Sequence, residues 1–195
     1  MVWVADREAG PAVGSEGWPL MTEMSRFEKD FCTGRMYRAF ARRFIVPWAL
    51  EGMRPSGEAL EIGSGSGAMA AQLLSDFPEL RLVATDYDPE MVDVANQSLH
   101  PFGERATVQR ADAAALPFLD DSFDIVLCFA MLHHVADRQR AVAEAVRVLR
   151  PGGTLVGYDL SRLRQLEAEL RRLPAHDVRT RRSLGGLLLR FLVTK

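Results

Sequence analysis

One α/β domain on a doubly wound, mostly parallel seven-stranded sheet, with helices on both faces and an antiparallel C-terminal strand, is the fold class this chain predicts. Three observations carry that expectation. The short apolar run Ala59-Leu60-Glu61-Ile62 ends in Gly63-Ser64-Gly65-Ser66-Gly67, after which apolar residues return at helical spacing. Strand and helix patterns then alternate along the chain, which implies crossover units in a parallel sheet. Near the C-terminus the rhythm breaks into two strand-like runs around Gly185-Gly186, the pattern of a hairpin.

Each element has its own signal. Residues 1–24 hold Gly10, Pro11, Gly14 and Gly17 with little periodicity, which predicts a loose arm carrying Trp3 and Trp18. Residues 25–50 read as cap helices, with Phe27, Phe31, Met36, Phe40, Phe44 and Ile45 near helical spacing and a break or second helix at Pro47. After the turn Pro55-Ser56-Gly57, residues 57–195 form the core. Strands are expected at Glu58–Ile62, Arg81–Thr85, Ala106–Arg110, Phe123–Phe129 and Thr154–Tyr158. Helices are expected at Ala68–Ser75, Glu90–Leu99, Arg138–Leu149 and Arg162–Leu173. Arg150-Pro151-Gly152-Gly153 reads as a helix stop and connector. Val178–Ser183 and Leu187–Thr194 form the closing hairpin.

Composition narrows the class. With 195 residues, 48% of them apolar, and a net charge of −2, the chain suits one globular domain. No run approaches the ~18 apolar residues of a membrane span. Asp6, Arg7 and Glu8 interrupt the order expected of a signal peptide. Cys32 and Cys128 are far apart without metal spacing, so they read as reduced thiols of a cytoplasmic protein, and no metal site is expected. Lysine occurs only at Lys29 and Lys195, whereas arginines gather at Arg35, Arg38, Arg42 and Arg43 and again from Arg162 to Arg190. Such clusters meet anions or form solvated helix faces.

The glycine turn marks a nucleotide-like cofactor but leaves its identity open. It satisfies both the dinucleotide fingerprint and the G-x-G-x-G turn that suits S-adenosylmethionine (SAM). Asp86, at the end of the second strand, serves ribose hydroxyls in either case. Short-chain reductases also need Tyr-x-x-x-Lys, but Tyr37, Tyr87 and Tyr158 are followed four residues on by Ala41, Met91 and Arg162.

Beyond the turn, the order of motifs resembles that of class I SAM-dependent methyltransferases, in particular small-molecule enzymes with a bare catalytic domain. Glu61–Gly67 is similar to their first motif, Thr85–Met91 to their second and Arg110–Phe118 to their third. Phe123–Val126, Leu132-His133-His134-Val135 and Arg147–Gly153 follow in order. The resemblance covers residues 35–160 and marks 25–195 as the methyltransferase domain. It implies a cradle of Gly63, Ser64, Gly65 and Gly67 for the methionyl part of SAM, with Glu61 toward its ammonium. Asp86 would accept from the ribose hydroxyls, with Tyr87 and Met91 walling the adenine. Asp112 and the Ala113 N–H would meet the adenine edge, Phe129 and Ala130 the sulfonium and acceptor pocket. Helix core competes as a reading of Met91, and a helix N-cap as a reading of Asp112.

The sulfonium is already an activated electrophile, so catalysis reduces to holding the acceptor in line with the S–CH3 bond at about 3–3.5 Å. A general base is needed only for a weakly acidic acceptor, and His134 is the candidate. Little chain separates the fifth strand from the next helix, so no large lid is expected there. The resulting open site suits a small-molecule or lipid-like acceptor, or closure by a second copy or a partner protein. Three alternatives stay open: a SAM-binding protein that is non-catalytic or dependent on a partner, a nicotinamide-dependent oxidoreductase, and a nucleic-acid methyltransferase. No specific nucleic acid is expected, because the amino-methylase motif and any RNA module are missing from this sequence.

Overall fold

The computed structural model describes residues 39, 41–160 and 165–195. The expected arm over residues 1–24, Cys32 and the arginines Arg35 and Arg38 lie outside them. A π-helical turn, Ala41–Ile45, leads into α1, Val46–Leu50. The core then alternates as β1 (Gly57–Ile62), α2 (Ala68–Asp76), β2 (Leu80–Asp86), α3 (Pro89–Leu99), β3 (Ala106–Arg110) and β4 (Phe123–Phe129). It continues through α4 (Arg138–Arg147), β5 (Leu149–Leu160), α5 (Leu166–Leu170), β6 (Asp177–Ser183) and β7 (Leu188–Thr194).

Seven strands form one sheet in the order β3-β2-β1-β4-β5-β7-β6. β1 pairs in parallel with β2 and β4, β2 with β3, and β4 with β5, while β7 runs antiparallel to both β5 and β6. The sequence alternation is thus realised as a doubly wound sheet with one reversed strand. Both faces are buried, and the side-chain period of two sorts residues between them. On one face Leu60, Ile62, Val126 and Cys128 pack against Val142, Ala145 and Val146 of α4. On the other Ala59, Leu127 and Phe129 pack with Leu73 and Leu74 of α2 and with Val46 and Leu50 of α1.

Three expectations are corrected. The helix predicted to Leu149 stops at Arg147, because Leu149 pairs with Phe123 and opens β5. Arg150-Pro151-Gly152-Gly153 is therefore a bulge inside β5 rather than a connector: pairing jumps from Phe123↔Leu149 to Ile125↔Thr154. Lys195 pins this bulge, its Nζ donating to Asp121 Oδ1 and to the Arg147 and Leu149 carbonyls. The helix predicted at Arg162–Leu173 contracts to Leu166–Leu170, with residues 161–164 outside the described set. Its end tightens through i+3 bonds from the Arg172 and Leu173 N–H groups, just before Pro174.

Phe44, one of the apolar residues at helical spacing, is 56% exposed, with the Arg43 guanidinium 5.4 Å from its ring centroid. The π-turn explains this: its wider winding shifts the phase of the face, so Val46, Ala49 and Leu50 take the buried positions. Phe31 and Phe40 fall outside the description.

Gly157 sits in β5 between β4 and β7. A Cβ there runs into the Cys128 carbonyl oxygen and the Phe191 ring. The carbonyl belongs to paired backbone, since Cys128 is opposite Gly157, and cannot swing away. Gly157→Ala is expected to cost about 3 kcal/mol of stability through overpacking, read as a lower denaturant midpoint in an equilibrium unfolding curve.

Candidate functional site

The strand order reverses direction between β1 and β4, and the C-terminal ends of the strands around that point form the crevice where ligands of open α/β sheets bind. The glycine turn sits there. Gly63 holds φ +69°, and a Cβ on it would lie 2.7 Å from Cβ of Met131, which follows β4. Glycine thus lets the two strand ends close on each other. Gly65 holds φ +53°, but a Cβ on it would meet nothing within 4 Å. Its missing side chain is not needed for packing within the protein; it leaves open space above the turn. Gly67 serves a third purpose: a Cβ on it would lie 3.2 Å from Cα of Ala95, so glycine lets the start of α2 pack close against α3.

Two carboxyl groups flank the cradle. Glu61, in β1, is buried, and its Oε2 has no hydrogen-bond partner. Burial pushes its pKa up to about 8, helped by the nearby Asp86 and opposed by the Ala70 N–H in the first turn of α2. Asp86, at the end of β2, accepts from the Gly65 N–H (2.8 Å) and the Asp88 N–H (3.0 Å), one on each oxygen. Burial raises its pKa, and those two N–H groups oppose the rise. Each oxygen retains a second lone-pair direction for a further donor. Ser64, in the same turn, has a buried hydroxyl oxygen without a partner. Buried polar groups ordinarily find partners, so orphaned Glu61 and Ser64 oxygens, at and just before a turn whose Gly65 faces open space, fit a polar ligand with a cationic or donor end.

The predicted adenine residues divide. Tyr87 is half-buried, its carbonyl accepting from Arg110 Nε (2.9 Å) while the Arg110 guanidinium lies 5.3 Å from its ring centroid. Met91 is fully buried on α3, so helix packing accounts for it. Asp112 caps no helix. Its Oδ1 accepts from the Ala114 N–H (2.8 Å) and its carbonyl from the Ala115 N–H, an Asx turn that buries Ala113.

Phe129 and Ala130 close the β4 side. Phe129 stacks on Tyr158 of β5 with ring centroids 5.7 Å apart. Ala130 takes φ +50°, a left-handed conformation that costs a residue with a Cβ about 1–2 kcal/mol. The Ala130 N–H donates to the Tyr158 carbonyl at 2.8 Å, which holds that strain in place. His133 and His134 follow in a short 3-10 turn, Leu132–His134, their rings 4.0 Å apart. The group that organises this turn is Asp159, which the sequence reading misses. It is fully buried in β5 and accepts from the Leu132 N–H (2.7 Å), the Leu160 N–H (2.6 Å) and His133 Nδ1 (2.8 Å). Its signal was the one that marks Glu61, an acid inside an apolar strand. This carboxylate holds His133, next to the candidate His134 in the same turn.

The comparisons with known proteins agree with this geometry. The model of the family described as "Methyltransferase domain" matches residues 60–157. A demethylmenaquinone methyltransferase of Deinococcus radiodurans is 36% identical over 97 residues, which are 50% of this chain and 40% of that protein. A ubiquinone/menaquinone biosynthesis C-methyltransferase UbiE of Teredinibacter turnerae is 34% identical over 138 residues, 68% of this chain and 53% of that protein. The chain thus spans about half the length of these curated relatives. A SAM-dependent methyltransferase structure from Aquifex aeolicus superposes with a TM-score of 0.72 at 16% identity, covering 88% of this chain and 99% of that one, a likeness of fold alone. Among the described residues no helix is long and apolar enough to cross a membrane. With its family model spanning the sheet from β1 to β5 and its glycine cradle at the strand-order reversal, the chain belongs to the methyltransferase-domain family of class I fold, whose methyl donor is S-adenosylmethionine.

Proposed function

We propose that the chain transfers the methyl group of SAM to a small, lipid-like acceptor of the quinone type. The observation that carries the reading is the pair of orphaned oxygens, Glu61 Oε2 and Ser64 Oγ, beside the open space over Gly65. They fit SAM: Glu61 would take the methionyl ammonium, Ser64 the adjoining polar groups, and Asp86 the ribose hydroxyls with its remaining lone pairs. Tyr87, Asp112 and the backbone of Ala113 would flank the adenine. When bound, SAM supplies a methyl group already activated on a sulfonium.

The remaining work falls to the chain's own residues. Ala130 and Phe129, at the end of β4, would exclude water and set the line of approach. With His133 Nδ1 donating to Asp159, Nε2 is left as the proton-accepting nitrogen, in the turn that follows β4. That makes His133 the group to accept a proton from an acceptor hydroxyl, ahead of His134. The quinone-type acceptor rests on the names of the two curated relatives.

The test is direct. Purified chain incubated with methyl-labelled SAM and a series of prenylated hydroquinones is expected to move label into the organic phase. Calorimetry that shows NADH binding and no SAM binding would overturn the cofactor assignment.

Two sets of variants probe the cradle. Asp86→Ala should weaken SAM binding by about 1–3 kcal/mol, since it deletes charge-assisted hydrogen bonds and frees the Gly65 N–H. Gly65→Val should abolish binding, because its side chain enters space that no protein atom uses; far-ultraviolet circular dichroism should stay unchanged while the left-handed backbone there lowers the melting temperature. A Gly65→Val chain with the wild-type dissociation constant would place SAM elsewhere.

SAM binding should also depend on pH through Glu61. In the free chain its pKa near 8 keeps the carboxyl protonated at neutral pH, and a bound ammonium favours the carboxylate. Binding below pH 8 therefore releases a proton, so affinity should fall as pH drops from about 7.5 to 5.5, by at most about tenfold per unit. Calorimetry in buffers of different ionisation enthalpy measures that proton. Glu61→Gln should bind more weakly and lose the dependence in this window.

A further inference from the structure

We propose that the tip of the β6–β7 hairpin is a docking element for an anionic lipid surface. Leu184 and Leu187 bracket Gly185-Gly186 at the tip and are 69% and 65% exposed. Packing within the protein does not explain leucine at either place. The backbone does not explain it at Leu184, where φ is +53°, a conformation that suits glycine or asparagine. A strained, solvent-facing leucine points to a contact outside the chain.

The charge around the tip identifies the kind of surface. Residues 171–190 contain six arginines and one aspartate in a chain whose net charge is −2. Arg171, Arg172, Arg179, Arg181 and Arg182 are all exposed. Arg179 contacts Asp177 at 2.6 Å, and Arg171 and Arg182 share Glu167 at 3.0 and 3.4 Å. An apolar tip backed by guanidinium groups matches the boundary between acyl chains and phosphate headgroups. Nucleic acid would instead favour aromatic stacking platforms, and residues 171–190 contain no Phe, Tyr or Trp.

Position links the tip to the site. Because β7 runs antiparallel, Leu188 pairs with Leu160 at the C-terminal end of β5. The hairpin tip therefore projects from the same sheet edge as Gly63, Ala130 and Asp159. β4 lies two strand spacings, about 10 Å, from β7. A surface that receives Leu184 and Leu187 would bring the acceptor side of the crevice toward a bilayer. The lipid contact stands on these residues alone; that it delivers the acceptor rests on the proposed function.

The experiment is flotation of the full chain with vesicles of phosphatidylglycerol and phosphatidylcholine, and with phosphatidylcholine alone. Binding is expected to the anionic vesicles and not to the neutral ones, and to weaken roughly tenfold or more from low to high salt. Leu184→Asn combined with Leu187→Asn should weaken vesicle binding by roughly tenfold or more. The melting temperature of that variant should stay unchanged or rise, since asparagine tolerates the left-handed backbone. Arg179→Gln with Arg181→Gln and Arg182→Gln should remove the salt dependence. The inference is overturned if anionic vesicles do not bind, or if the leucine variant binds them as the wild type does. It is also overturned if a single-stranded oligonucleotide binds more tightly than the vesicles, with dependence on the arginines alone. SAM calorimetry on the same samples separates the two proposals: lost vesicle binding with intact SAM binding fails the docking surface only, and the reverse fails the cofactor reading only.

Discussion

A buried carboxyl beside a second carboxyl is the constraint around which the site is organised. Glu61 is buried because β1 is an inner strand, paired on both sides, with both faces of the sheet covered. Desolvation and the neighbouring Asp86 both oppose its ionisation. An acid in that position is unfavourable for the free protein and favourable only with a cation beside it. The glycine turn follows from the same need. It must carry the chain away from β1, let Met131 close against Gly63, and still leave the space over Gly65 into which a ligand can bring its charge.

The opposite wall is held by a different carboxylate. Asp159 accepts three hydrogen bonds, two from backbone N–H groups and one from His133, and so ties the end of β5 to the turn after β4. Ala130 keeps its left-handed conformation between these ties. Strain of this kind persists only where the surroundings over-determine it. Here the Ala130 N–H bond to Tyr158 and the stacking of Phe129 on Tyr158 do so. The crevice thus has one wall with a buried, under-partnered carboxyl and another tied by hydrogen bonds between β4 and β5.

Farther out, arginine holds the frame. Arg147, on α4, donates to Glu144, to Asp120 and to the carbonyls of Leu116 and Phe118, which fixes the loop between β3 and β4. Arg138 makes a paired contact with Glu169 and anchors α5 to α4. Arg190 joins Glu51 and the Trp48 carbonyl, so β7 steadies α1. A residue type that composition alone describes as a surface cluster therefore plays several structural parts, while the arginines near the hairpin tip are among those exposed to solvent.

Local pattern was enough to read the strands Ala106–Arg110 and Phe123–Phe129, the glycine turn, the reversed final strand and the acids Glu61 and Asp86. Each is written in contiguous residues whose chemistry allows few alternatives: a short run of strand formers between turn signals, a turn only glycine can make, an acid where the strand is otherwise apolar. Features that depend on distant partners were not legible in this way. Leu149 belongs to a strand because Phe123 lies opposite it, and Pro151-Gly152-Gly153 bulges because Lys195 returns to hold it. Phe44 turns outward because the π-turn shifts the helix phase. His133 is tied to β5 because Asp159, 26 residues away, is buried within reach of its imidazole. The sequence by itself determined which chemical groups the crevice could contain, since residue types and local turns are properties of short segments. Tertiary structure alone decided which of those groups are desolvated, paired or left without a partner, because burial and hydrogen bonding are set by what packing brings from elsewhere in the chain.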